Sequence, residues 1–237
     1  MAQFLWVIFP YLCIAVLVVG TIYRYSYDQI GWGSKSSEIL EKRLLRWGSL
    51  LFHWGLVFVF FGHVMGLLIP IQFYQWLGVS SEFYHMNAEI FGGLTGLAAW
   101  VGILLLLIRR IVNKRVRLNS SPSDYVALCM LFIVVSLGLY VTTIYDSIHG
   151  PYEYRTSVGP WFRQVLTLHP QAALMLHAPL VLQMHAISAF LLFAISPFTR
   201  LVHIWSAPFA YITRAPILYR SRAQYRKARE ETVNRYY

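Results

Sequence analysis

Five apolar runs of about twenty residues or more alternate with polar stretches along this chain. They fall at about 4–23, 49–69, 88–108, 124–144 and 179–204. At ~1.5 Å per helical residue, each is long enough to cross a hydrocarbon layer ~30 Å thick. The pattern predicts an all-α polytopic membrane protein: one domain over 1–237, with five transmembrane helices and a basic tail at 205–237. No basic residue precedes the first run and no small-residue cleavage site follows it, so it reads as an uncleaved anchor. In the first loop, IGWGSKSSE is turn-rich and SEILEKRLLR predicts a short amphipathic helix. Gly92, Gly93 and Gly96 allow a close helix approach on the third run. Ser121, Pro122 and Asp124 have the N-cap, first-position and first-turn chemistry of a helix start. Gly159-Pro160-Trp161-Phe162 predicts a short helix lying at the membrane interface.

The second run, LFHWGLVFVFFGHVMGLLIP at 51–70, has no acidic residue, lysine or arginine, yet holds His53 and His63. A histidine in lipid is costly and normally faces a protein interior, a cavity or a cofactor. Two on one span, ~15 Å apart in height, predict two stacked sites. Gly55, Gly62 and Gly66 thin this helix and would let a flat macrocycle approach.

Charge adds direction. The chain is 57% hydrophobic with net charge +10, but its basic residues are segregated between the apolar runs, so they report topology and lipid contact and do not point to nucleic acid. Eighteen of the twenty Lys and Arg fall in 24–48, 109–123 and 200–235. With five spans, this predicts the N-terminus outside the membrane and the C-terminus in the cytoplasm. Cys13 and Cys129, both within apolar runs, supply no haem-attachment, redox or iron–sulfur motif and read as small buried hydrophobes.

Of the eight histidines, His85, His149, His169 and His177 fall in the outer segments, where a solvated or capping role is ordinary. His185 and His203 lie on the fifth run, which descends as the second ascends. If the two helices face each other, His63 is level with His185 and His53 with His203. Each pair could place two imidazoles on opposite faces of one haem iron. The spacings disagree, ~27 Å along a straight fifth helix against ~15 Å on the second. Pro197 offers a kink between His185 and His203.

With these residues in view, the chain resembles the gamma, cytochrome b subunit of bacterial respiratory nitrate reductases, the Gram-positive branch in particular. LFHWGLVFVFFGHVMGLLIP, VGPWFR at 158–163, SPFTRLVHIWSAP at 196–208 and Tyr211-Ile212-Thr213-Arg214 carry the resemblance. It implies five helices around two b haems, held by His63 and His185 on the outer side and by His53 and His203 on the inner. It implies quinol, menaquinol first, oxidised near the outer haem with protons released outside. Electrons would pass inward to an iron–sulfur (beta) subunit and a molybdenum catalytic (alpha) subunit that reduces nitrate to nitrite. This chain has no ligand set for that last step. The family's quinol-site lysine at the start of the third helix is missing from FYHMNAEIFGG, which leaves Tyr84, His85 and Glu89 as candidates for the quinol contact. Arg200, three residues before His203, is a candidate partner for an inner haem propionate. The alternatives are a cytochrome b subunit of another quinone-linked dehydrogenase, disfavoured by PFTRLVH, and a histidine-based metal or proton transporter. A transporter predicts further acidic or cysteine ligands within the spans, and almost none are present.

Overall fold

A computed structural model describes residues 1–28 and 36–205, and of the tail only residues 230, 231 and 234. Most of the predicted basic tail thus lies outside the described residues. Met1–Trp205 forms one compact unit.

Among the described residues there is no strand, and five helices are long and apolar enough to span a membrane. They are α1 (Phe4–Tyr27), α2 (Arg43–Leu68), α3 (Ser81–Val112), α4 (Pro122–His149) and, after a short helix α5 (Val158–Leu166), α6 (Leu180–Phe198). Large apolar side chains such as Trp54, Phe58, Phe91 and Leu94 point outward, which suits a lipid solvent and would be unstable in water.

The helices pack in the order α2–α3–α4–α6–α1. The α2–α3 seam is the tightest. A Cβ on Gly55 would lie 2.6 Å from the Ala99 amide nitrogen, and one on Gly102 would strike the Phe52 backbone. Gly55 therefore closes a helix crossing and does not open a face to a cofactor. Gly66 is covered by Tyr154, while Gly62 meets nothing within 4 Å. Gly92, Gly93 and Gly96 do bring α3 close to another helix, α4, meeting Thr142, Thr143 and Leu139.

Helix ends depart from the sequence pattern where polar groups intervene. α3 starts at Ser81, because the Ser80 hydroxyl accepts from the Phe83 amide at 3.2 Å. That places Tyr84, His85 and Glu89 on helix α3. Asp124 accepts from the Ser121 amide at 3.0 Å, and α4 begins at Pro122 as expected. The expected amphipathic helix at 37–46 is divided. Residues 38–40 form a turn, and Glu41 caps α2 by accepting from the Leu44 and Leu45 amides at 2.8 and 3.2 Å.

Two buried arginines that look like membrane anchors in the sequence are structural clasps. Arg109, 2% exposed, binds Glu41 at 2.7 Å and the Ser37 carbonyl at 2.8 Å. Arg110 binds Ser120 and Asp124 at 2.6 and 3.0 Å. Burial opposes ionisation of Glu41, but the Leu44 amide and Arg109 outweigh it and hold the carboxyl below its usual range.

α5 is also more embedded than an interfacial helix. Trp161 is 1% exposed, donates to the Trp6 carbonyl at 2.9 Å and meets the Trp6 ring edge-on. Arg163 donates to the Leu67 carbonyl at 2.7 Å, satisfying an orphan acceptor at the end of α2. Of the two cysteines, Cys13 is buried but Cys129 is exposed on the apolar surface of α4.

Candidate functional site

α2 and α6 are not neighbours in the helix packing, yet the two α2 histidines approach His185 on α6 and His203 in the turn beyond it. The His63 and His185 rings have centroids 6.1 Å apart and planes inclined by 34°. The His53 and His203 rings have centroids 6.3 Å apart and planes inclined by 61°. The pairing also makes α2 and α6 antiparallel.

Both separations have a chemical meaning. A metal–imidazole bond is about 2.0–2.1 Å, and the ligating nitrogen lies about 1.1 Å from its ring centre. Two imidazoles trans across one metal therefore have centroids about 6.2–6.4 Å apart.

The hydrogen bonds agree. Nδ1 of His53 lies 2.7 Å from the Ser49 carbonyl, and that of His63 lies 2.8 Å from the Val59 carbonyl. For His185 the partner is the Val134 carbonyl at 3.0 Å, and for His203 the Arg200 carbonyl at 2.6 Å. A carbonyl only accepts, so each Nδ1 carries the proton and each Nε2 keeps a lone pair for a metal. Among the described residues, no group of three or more His, Cys, Asp or Glu is arranged to hold a bare metal ion. Two facing imidazoles would suit a group that already carries most of its metal's ligands, as haem does.

The structure also accounts for the unequal spacings. α6 is α-helical only to Ile195, then becomes a 3₁₀ turn at Ser196–Phe198. Thr199 is extended, with φ −123° and ψ 179°, and a second 3₁₀ turn covers Arg200–Ile204. The predicted span to 204 therefore breaks, and His203 leaves the α6 axis. The ~27 Å of a straight helix does not apply. The break has a cause: Pro197 cannot continue the helical hydrogen bonds, and the Thr199 hydroxyl accepts from the Leu201 amide at 3.3 Å to start the next turn.

Arg200 lies 3.7 Å from Asp124 across its guanidinium and positions His203 through its carbonyl. Lys42, Arg46 and Ser49 line an open groove of about 440 Å³ beside His53. These two cations were read in the sequence only as topology markers.

At the other end, Tyr84 and His85 are buried. The Tyr84 hydroxyl is 3.2 Å from that of Tyr154, and its ring lies 3.8 Å beneath the Arg155 guanidinium. His85 Nε2 is 3.1 Å from Glu153 Oε2. Arg155, 1% exposed, binds both Glu153 oxygens at 2.7 Å and Ser81 at 3.2 Å. Burial alone would raise the Glu153 carboxyl, but bonds from Arg155 and His85 outweigh it and hold the group below the usual carboxylate range. Glu89 is half-buried one turn further along α3. Sequence reasoning missed Glu153, Tyr154 and Arg155; an acid and a base flanking a tyrosine in an otherwise uncharged loop were the available signal. His149 and His169 are exposed and bond to nearby carbonyls, and His177 is exposed.

Known proteins agree with the resemblance. The nitrate reductase gamma subunit family model matches residues 2–222. The nitrate reductase gamma chain of Bacillus subtilis (strain 168) is 45% identical over 93% of this chain and 99% of its own length. Two Escherichia coli (strain K12) proteins, the respiratory nitrate reductase 2 and 1 gamma chains, are 37% and 34% identical over 92% and 93% of this chain and 96% and 97% of their own. A helical membrane protein with two facing histidine pairs, it belongs to the nitrate reductase gamma subunit family.

Proposed function

We propose that this chain is the quinol-oxidising, two-haem cytochrome b subunit of a respiratory nitrate reductase. His63 and His185 hold the outer haem b, and His53 and His203 the inner. Bound there, haem b supplies a one-electron couple at each of two heights, so that electrons from quinol cross the membrane inward. The observation that carries this reading is the ring geometry, 6.1 and 6.3 Å with every Nδ1 fixed on a carbonyl.

The N-terminus is outside and the C-terminus cytoplasmic, supported by the segregation of Lys and Arg. The cationic inner rim and the tail meet an iron–sulfur subunit and a molybdenum subunit, where nitrate becomes nitrite. Quinol, menaquinol by preference, binds at the outer end near Tyr84, His85 and Glu89. The residues there have defined tasks. Tyr154 seals the backbone of α2 at Gly66, three residues beyond His63, and bonds to Tyr84. Arg155 locks the 152–156 loop onto the start of α3. Glu89 and His85 are the bases closest to hand for the quinol protons.

The test is direct. The purified protein should be coloured, with a dithionite-reduced α-band, two haems per chain, and haem reduction driven by quinol. A colourless, haem-free protein from haem-replete cells would end this reading. Reporter fusions at each terminus check the orientation.

A further inference from the structure

Resting on the quinol-oxidising reading above, a second set of titratable groups at the outer end acquires a purpose. α3 and α4 are antiparallel and in register there: Gly96 faces Leu139, Gly93 faces Thr143 and Gly92 faces Thr142. Followed by helical steps, the same stripe of α3 reaches Glu89 and then His85, while α4 reaches Asp146. Asp146 is within electrostatic reach of both Glu89 and His85, and the Tyr152 amide approaches it. His85 in turn contacts Glu153 at 3.1 Å. The four groups thus run from the α3–α4 seam into the outer loop.

Two features separate this set from an ordinary polar seam. Asp146 Oδ1 is buried with no hydrogen-bond partner, an acceptor left without the proton it would normally share. Asp146 also follows directly on a π-helical turn at Val141–Tyr145, a kind of irregularity frequent at functional sites; the described residues hold two more, at Phe4–Ile8 and, directly after His63, at Val64–Leu68. Facing the set are the hydroxyls of Tyr84, Tyr152 and Tyr154 and the guanidinium of Arg155, which is committed to Glu153.

We propose that Glu89, Asp146, His85 and Glu153 form one proton-release path that carries the protons of quinol from the α3–α4 seam to the outer surface. Each quinol oxidised to quinone loses two protons and two electrons. The electrons go inward, with nitrate as terminal oxidant, and the path moves protons alone. A quinol O–H bond breaks as an O–H bond forms on Glu89 or Asp146. The proton passes by His85 to Glu153, which is partly open to water and releases it outside, and each group returns to its starting form.

The experiment uses the complete nitrate reductase in membrane vesicles with a menaquinol analogue as donor. It compares wild type with Asp146→Asn, Glu89→Gln, the double variant and Asp146→Glu. Expected are unchanged dithionite-reduced haem spectra, a quinol KM within about twofold and a kcat about 100-fold lower in the double variant. Activity should return in Asp146→Glu and partly on adding a small permeant weak acid. Unchanged kcat in the double variant overturns the proposal, as does a loss confined to KM. Loss of haem from both single variants assigns the cluster a structural role and also overturns it. If wild-type vesicles show no quinol-driven haem reduction, the quinol reading itself fails, an outcome distinct from any variant effect.

Discussion

The two histidine pairs are alike in separation and unlike in support. At the His63–His185 level, His63 is the last α-helical residue before a π-helical turn at Val64–Leu68, while His185 lies within regular helix and is anchored to a carbonyl of a different helix, Val134 on α4. Gly138 lies so close that a Cβ there would come within 2.9 Å of His185 Cε1. The bundle itself fixes this ring. At the His53–His203 level, both Nδ1 bonds are local, to Ser49 and Arg200, and His203 rests on a short 3₁₀ turn beyond a helix break. The α2 ring has a local bond at both levels, so the difference lies in the partner: His185 is fixed by long-range packing and His203 by a local turn. The first should be insensitive to its surroundings, and the second should depend on its own short segment.

The largest effect expected is loss of a haem from one level alone. His185→Ala should lower haem content from two per chain to one and abolish quinol-driven reduction, whereas His203→Ala should leave the remaining haem reducible by quinol but stop nitrate reduction. Pyridine haemochrome and optical spectra read both, and loss of both haems from either variant would contradict the separate construction. Next in size is Arg109→Ala, which strands Glu41 in a largely buried pair and should cost up to about 3–5 kcal/mol, seen as a lower thermal midpoint of the purified complex. It acts at the end of the α2–α3 seam nearer His53; an unchanged midpoint would show that the clasp contributes nothing.

Gly138→Ala should displace His185 alone, because the added methyl meets an imidazole edge. Overpacking of this kind costs about 1–3 kcal/mol, and the expected sign is a changed outer-haem spectrum beside an unaltered inner one. Thr199→Ala removes a cap worth about 0.5–2 kcal/mol and should broaden the inner-haem signal only. Equal changes at both levels would dissolve the contrast.

The smallest effect concerns pH. The Glu153 carboxyl is held below its ordinary range in the folded protein. Its stabilisation is therefore complete above that range and is lost as pH falls through the lowered folded value. Thermal midpoints across the acid range should slope less in Glu153→Gln than in wild type; parallel slopes would mean that the His85–Glu153–Arg155 clasp does not support the outer loop.

Much of this was legible in the chain. Length and apolarity alone determined five membrane helices, since ~20 unbroken apolar residues have few other stable fates. The cost of histidine in lipid singles out His53, His63, His185 and His203 from the sequence alone. The Ser121-Pro122-Asp124 helix start was also readable, because capping is a local interaction between near neighbours. Residues that act through distant partners were not. Gly55 looked like room for a cofactor and instead closes on Ala99, and Arg109 looked like an anchor and is a buried clasp. Glu153 drew no notice until a fold brought it to His85, 68 positions away. The spacing conflict between α2 and α6 was visible in the sequence, but only the tertiary structure resolved it. Whether Pro197 bends a helix or ends it depends on what caps the next turn, and here the Thr199 hydroxyl caps that turn and lets the chain leave the α6 axis.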